Sequence, residues 1–141
     1  MLGPKSSTWA ETAQAVQSIA KRYLESAGIR SEISVLLVPS MSKAPIPQLI
    51  RRALIMATRE LLKNSAHHAR PKDAKVKLEV QPNRVVLWVS DSGVGVEADG
   101  AFSKGRGLAQ LRKRLQELGG TVEISHQPGE FSVQVQIPLD S

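Results

Sequence analysis

The stretch GRGLAQLRKRLQELGGTVEI, residues 105–124, decides how the rest of the chain is read. Its leucines Leu108, Leu111, Leu115 and Leu118 recur three and four residues apart, the period of a helix with one apolar stripe. Gly119-Gly120 stop that helix, and Thr121 to Ser125 resume as a strand. The entry Gly105-Arg106-Gly107-Leu108 also has a chemical meaning. The first N–H groups of a helix have no partner within it and lie at the positive end of its dipole, so phosphate oxygens fit there. Taken alone, the same glycines also describe a plain flexible connection. No Gly-Lys-Ser or Gly-Lys-Thr follows, and the glycines do not form the dinucleotide fingerprint of a parallel strand-helix-strand unit.

Working outward, Pro128-Gly129 turn the chain into Phe131 to Ile137, where Phe131, Val133, Val135 and Ile137 alternate with Ser132, Gln134 and Gln136. Upstream, Asp91 to Gly107 holds five glycines and reads as a loop. Before it, Ala74, Val76, Leu78 and Val80 alternate with Lys75, Lys77 and Glu79, and Pro82-Asn83 turn into Val85 to Ser90, a hairpin with one buried face. A long helix is expected from about Pro47 to His68, a strand from Glu32 to Val38, and a first helix from Thr8 to Ala27, ended by Gly28. Helices interspersed with strands that include two short hairpins imply an α+β fold: a two-layer sandwich with a mixed, mostly antiparallel sheet and helices on one face.

A chain of 141 residues suits one domain and can bury roughly two-thirds of its unfolded surface. Residues 1–7 are expected to be a flexible or vector-derived N-terminus and 8–141 a single domain. The absence of cysteine excludes a disulfide framework and a thiolate zinc cluster and suits a reducing, cytoplasmic setting. The longest apolar runs, such as Val35 to Val38, fall far short of the roughly 20 residues that cross a bilayer, so no direct membrane insertion is expected. A net charge of +6 suits a polyanion, but aromatics make up only 4% of the chain and do not cluster among the basic residues. That composition speaks against base stacking, and no nucleic-acid partner is expected.

In the long helix, Ile46, Ile50, Ala53, Leu54, Ala57 and Leu61 share one sector at 100° per residue and should face the core. Glu60, Asn64 and His68 fall in the same sector, whereas Arg51, Arg52, Arg59 and Lys63 collect opposite. Polar groups in a core-facing stripe need partners. Either the helix emerges from the core near its end and these groups bond locally, or the trio serves a ligand, with oxygen donors suited to a hard cation that brings phosphates with it. At the end of a strand, Asp91-Ser92-Gly93-Val94-Gly95 offers a carboxylate that can accept from an exocyclic amine, beside glycines that let a flat ring approach the backbone. By itself that motif equally describes an ordinary turn.

The three motifs in order, Glu60-x-x-x-Asn64-x-x-x-His68-Ala69, Asp91-x-Gly93-x-Gly95 and Gly105-x-Gly107-Leu108, resemble the GHKL ATP-binding superfamily of gyrase, heat-shock ATPases, mismatch-repair ATPases and histidine kinases, built on the Bergerat fold. Residues 107–124 and a short lid of nine residues, Val96 to Lys104, resemble sensor kinases of the nitrate-sensor and membrane-fluidity-sensor type. The resemblance covers about residues 10–139. It implies ATP and Mg2+ as cofactors, Glu60 near the γ-phosphate as the catalytic acidic residue, Asn64 on the metal and His68 near the phosphates. It implies Asp91 at the adenine amino group, with Gly93 and Gly95 admitting the ring, and Gly105, Gly107 and Leu108 at the phosphates under the lid. Lys104, Arg106 and Arg112 are phosphate neighbours by charge and position, and equally ordinary surface charges.

The resemblance also implies transfer of the γ-phosphoryl group to a histidine on a separate dimerisation and histidine-phosphotransfer domain, with a response regulator downstream. The three histidines, His67, His68 and His126, do not supply that acceptor. The chain would then be either the excised catalytic domain of a longer, membrane-bound receptor, cytosolic in either case, or a free-standing ATPase domain. An anti-sigma-factor-type serine kinase and a non-catalytic regulatory ATP-binding module are the alternatives. Against the first stands Leu118-Gly119-Gly120-Thr121. The chain departs from the family pattern at Glu130-Phe131, which stand where relatives often have a Gly-Thr pair whose threonine assists the aspartate.

Overall fold

A computed structural model describes residues 7–65, 72–92 and 106–139, apart from the side chains of Arg106, Gly107 and His126. The first helix, α1 (Trp9–Ser26), starts where Thr8 closes a reciprocal cap: its hydroxyl accepts from the Glu11 N–H at 3.1 Å, and the Glu11 carboxylate accepts from the Thr8 N–H at 2.9 Å. Trp9, Ala13, Val16, Ala20 and Leu24 line its buried side at helical spacing. β1 (Arg30–Leu37) follows, then a single 3-10 turn at Pro39–Met41 and the central helix α2 (Gln48–Asn64). The hairpin β2 (Asp73–Gln81) and β3 (Arg84–Asp91), the helix α3 (Arg106–Glu117), and the pair β4 (Thr121–Gln127) and β5 (Glu130–Pro138) complete the described chain. Expected and observed bounds differ by a residue or two at most described ends. The expected extension of α2 from Ser65 to His68 lies mostly outside the described residues.

The five strands form one sheet in the order β1-β2-β3-β5-β4. β1 and β2 run parallel, Ile33 beside Val76 and Val35 beside Leu78, and the other three pairings are antiparallel. A parallel pair needs a crossover of a dozen or more residues, and α2 lies within the connection between β1 and β2. Strand alternation then sorts the two faces. Ala74, Val76, Leu78 and Val80 of β2, Val85, Leu87 and Val89 of β3, and Val133, Val135 and Ile137 of β5 join one core with the helices. The other face is polar: the Trp88 indole N–H donates to Gln134 Oε1 at 2.8 Å, and the Lys77 ammonium sits 5.1 Å from the Trp88 ring centre. The architecture is the mixed, mostly antiparallel two-layer α+β sandwich that the sequence implied.

α2 is buried on more sides than its expected stripe. Besides Ala53, Leu54, Ala57 and Leu61, it buries Thr58 and Leu62, because it lies between α1 and α3 as well as on the sheet. The Thr58 hydroxyl satisfies itself by donating to the Leu54 carbonyl at 2.8 Å. After α3, Gly119 takes φ +75°, the left-handed conformation that closes a helix, and the Gly120 N–H donates back to the Leu115 carbonyl at 2.7 Å. A Cβ on Gly120 would lie 2.6 Å from the Gln136 carbonyl oxygen, so the double glycine also lets the chain pass close against β5.

Candidate functional site

The last turn of α2 and the end of β3 meet at one end of the sheet, and there the buried residues become polar. Asn64 is 8% exposed, Ser65 5% and Asp91 4%, whereas the preceding turns of α2 bury chiefly Leu and Ala. Alternation along β3 explains Asp91: Val85, Leu87 and Val89 face the helices, so the next residue of that set does too. Helical spacing explains Asn64, one turn beyond the buried Leu61 and two beyond the buried Ala57. Two elements chosen by their apolar residues therefore bring a carboxylate and an amide into the same low-dielectric region.

Ser65 joins them. Its hydroxyl donates to Asp91 Oδ2 at 2.5 Å across 26 positions of sequence. Hydrogen bonds to a buried carboxylate are the short, strong class. Asn64 differs: its Nδ2 is buried and has no hydrogen-bond partner among the described residues. An unsatisfied buried amide costs about 1–3 kcal/mol, which natural folds tolerate chiefly where a ligand, water or ion completes the site. Just beyond Asp91, Ser92 fixes the exit of β3, its Oγ accepting from the N–H groups of Lys72 and Asp73 at 3.1 Å each and its own N–H donating to the Asp73 carbonyl at 3.0 Å. A cavity of about 180 Å3 opens at this end of the sheet, with Asp73, Lys75, Ser90, Asp91 and Glu130 in its walls.

Glu60 is placed differently from its expectation. It lies at the margin of the α2 core sector rather than inside it, and it lines a cleft of about 600 Å3 between α1 and α2 together with Ile19, Arg51, Arg52, Met56 and Arg59. The reason is angular: Asn64, one turn further along, is buried, whereas Glu60 shares a helical stripe with Met56 and Arg52, four and eight residues earlier. The arginines expected on the opposite side are thus its neighbours around the cleft.

Of the remaining expected residues, His68, Gly93, Gly95, Lys104 and Gly105 lie outside the described residues. Arg106 and Gly107 form the first two positions of α3, and Leu108 follows with its side chain 1% exposed in the core. Leu108 therefore reaches a ligand, if at all, through its backbone N–H, one of the unpaired donors of a helix start. Arg112 is exposed on α3. Sequence reasoning missed Ser65 and Ser92. A serine after a helix end or a strand end is unremarkable in one dimension, and only adjacency to Asn64 and Asp91 hinted at a role.

Comparison with known proteins bears on the family and the fold. The family profile described as "Histidine kinase-, DNA gyrase B-, and HSP90-like ATPase" matches residues 50–141. The sensor protein VraS of Staphylococcus epidermidis is 26% identical over 113 residues, covering 79% of this chain and 32% of VraS. The sensor histidine kinase DesK of Bacillus subtilis is 32% identical over 88 residues, 62% of this chain and 24% of DesK. The chain thus spans about a third or less of these relatives' lengths. Among solved structures, the Acinetobacter baumannii histidine kinase AdeS superposes with a TM-score of 0.67 at 20% identity, over 100% of this chain and 70% of that one. The catalytic domain of histidine kinase ThkA superposes with a TM-score of 0.65 at 17% identity, over 97% of both chains. At these identities the superpositions establish the fold.

Proposed function

Because this chain belongs to the family of histidine kinase-, DNA gyrase B- and HSP90-like ATPases, we propose that it is the ATP-binding catalytic domain of a two-component sensor histidine kinase, comprising residues 8–141 and working in the cytoplasm. It donates the γ-phosphoryl group of ATP to a histidine on a separate dimerisation domain, from which a response regulator draws it. The likeness to VraS and DesK supports the kinase reading. The observation that carries it is the convergence of Asn64 and Asp91 at one end of the sheet, both buried and bridged in sequence order by Ser65.

The chemistry follows from the groups present. A buried carboxylate accepts hydrogen bonds only, so Asp91 suits the exocyclic amine of adenine. The Asn64 amide, with a nitrogen uncommitted among the described residues, suits Mg2+ through its oxygen, since this ion keeps several waters and is held by one or two protein oxygens plus phosphates. When bound, Mg2+ neutralises charge on the phosphates. Among the described residues no three His, Cys, Asp or Glu side chains gather into a metal-ligating group. The backbone N–H groups at the start of α3 add partial positive charge for the phosphates. Glu60, beside the cleft between α1 and α2, accepts or orients the proton of the incoming nucleophile. Phosphoryl transfer has a loose transition state, so positioning and charge neutralisation account for most of the work.

Calorimetric titration with a non-hydrolysable ATP analogue, with and without Mg2+, tests the site. Wild type should bind in a Mg2+-dependent way, Asp91→Asn should weaken binding with or without the metal, and Asn64→Ala should remove the metal dependence. A wild type that binds no nucleotide at millimolar concentration while keeping its circular dichroism spectrum would sink the proposal. Phosphorylation of a supplied dimerisation hairpin then separates a kinase from a module that only binds ATP.

A further inference from the structure

The cleft between α1 and α2 carries more positive charge than its own residues use. Within α2 four basic residues, Arg51, Arg52, Arg59 and Lys63, stand against a single acidic one, Glu60. Three of the four, Arg51, Arg52 and Arg59, line the cleft, and none of the three forms an ion pair among the described residues, although Glu60 shares the same walls. The Arg51 Nε is buried and has no hydrogen-bond partner among the described residues. A guanidinium nitrogen hidden from water without an acceptor carries an uncompensated desolvation cost, which an anion placed against it would remove. Beside the arginines the walls are apolar: Ile55 and Met56 of α2 pack partly buried against the core, and Ile19 of α1 joins them. We infer that this cleft binds a small anionic amphiphile, an alkyl chain ending in a carboxylate or a phosphate, with its head at Arg51 and Arg52 and its chain over Ile55, Met56 and Ile19. The cleft is separate from the nucleotide site proposed above and has only Glu60 in common with it, since Asn64, Ser65 and Asp91 do not line it.

The chemistry of the walls selects this class of ligand. The planar fork of an arginine matches the paired oxygens of a carboxylate or phosphate and stays charged at any physiological pH. A volume of about 600 Å3 lies within the usual range of small-molecule sites, about 300–1,000 Å3. Eight side chains form the walls, whereas a stable protein interface takes about 20–30 residues from each side. None of the eight is aromatic, so the cleft offers no platform on which a second nucleotide could stack its base. The unbranched Met56 can follow the outline of a flexible chain. Glu60 repels an anionic head from its own end, and Arg52 lies eight residues away on the same helix, about 12 Å along its axis. The head is therefore directed to the Arg51 and Arg52 end.

Calorimetry on the whole chain with octanoate, decanoate and the neutral octanamide, each kept below the concentration at which it self-associates, tests the site, and methyl NMR spectra locate the ligand. Octanoate should bind about 10-fold or more tightly than octanamide, the usual worth of pairing with a charged group. Decanoate should bind about 10-fold more tightly than octanoate, since each further buried methylene contributes up to about fourfold. The methyl signals of Ile19, Ile55 and Met56 should shift on binding. Arg52→Gln, at an exposed position and with its fold checked by circular dichroism, should weaken decanoate about 10-fold, and Arg59→Gln should weaken it less. Whichever of decanoate and decyl phosphate binds more tightly identifies the head group, either result supporting the site. Equal affinities for octanoate and octanamide, no gain with chain length, or an Arg52→Gln variant that binds decanoate as wild type does would each overturn the inference. So would uptake of an acidic helical peptide without decanoate, which favours a protein partner, or displacement of decanoate by an ATP analogue with Arg52→Gln weakening both alike, which gives the cleft to the nucleotide. A chain that binds decanoate and no nucleotide would leave this site standing while the proposed function fails, and the reverse result removes this inference alone.

Discussion

The two halves of α2 follow opposite rules of burial. From Ile50 to Leu62 the fully buried residues need nothing from their surroundings but contact, apart from Thr58, which bonds its own helix; the partly buried Arg51 is the other polar exception, its Nε without a hydrogen-bond partner among the described residues. At Asn64 and Ser65 it hides groups that demand partners, one met by a carboxylate 26 residues away and one left with an unpartnered Nδ2 among the described residues. Since removing polar groups from water without partners is costly, the first half serves stability, and in the function proposed above the second serves a ligand. A substitution in each half should therefore fail in a different way.

The strongest expected effect on folding is at the apolar half. Leu54→Ala, at a fully buried core position of α2, should lower the unfolding free energy by about 2–5 kcal/mol in urea titration while leaving nucleotide affinity intact in the folded fraction. A loss below about 1 kcal/mol would mean that this half is not close-packed. Gly120→Ala comes next, at about 1–3 kcal/mol by the same measurement, because the added methyl would lie 2.6 Å from the Gln136 carbonyl oxygen. At the far end of the helical layer, Thr8→Ala removes one side of the α1 cap and should cost about 1 kcal/mol, seen as a small drop in Tm.

The smallest stability effect is expected at the polar half, where it sharpens the contrast most. Asn64→Ala deletes an amide whose Nδ2 has no partner among the described residues, so stability should change by less than about 1 kcal/mol, while Mg2+-dependent nucleotide binding disappears. If Asn64→Ala instead unfolded the chain as readily as Leu54→Ala, the distinction between the two halves would collapse, and Asn64 would belong to the structural body.

Local pattern sufficed for much of this. Strict alternation in β2 and β5 placed their buried faces residue by residue, because a strand turns each successive side chain to the other side. The leucine spacing of α3 and the double glycine after it marked a helix and its stop, because a left-handed closing residue and a close backbone approach both favour the residue without a Cβ. Asn64 was also legible as a polar residue in a sector that the helical period assigns to the core, and Asp91 as the carboxylate of a motif at a strand end. Glu60 was not: a sector drawn on an isolated helix cannot tell which flank a neighbouring helix covers, and α1 leaves Glu60 beside a cleft lined by arginines.

By itself the sequence determined the elements, their buried faces and the three motifs whose order identifies the family, because these depend on interactions between residues within a few positions of one another. Tertiary structure alone decided that β1 pairs in parallel with β2, that β5 lies between β3 and β4, and that Ser65 reaches Asp91 while Phe131 faces it across the ladder. Those contacts join residues tens of positions apart. Which of the many possible partners meet is fixed only when a shared core excludes water and leaves each buried polar group the neighbours that packing happens to supply.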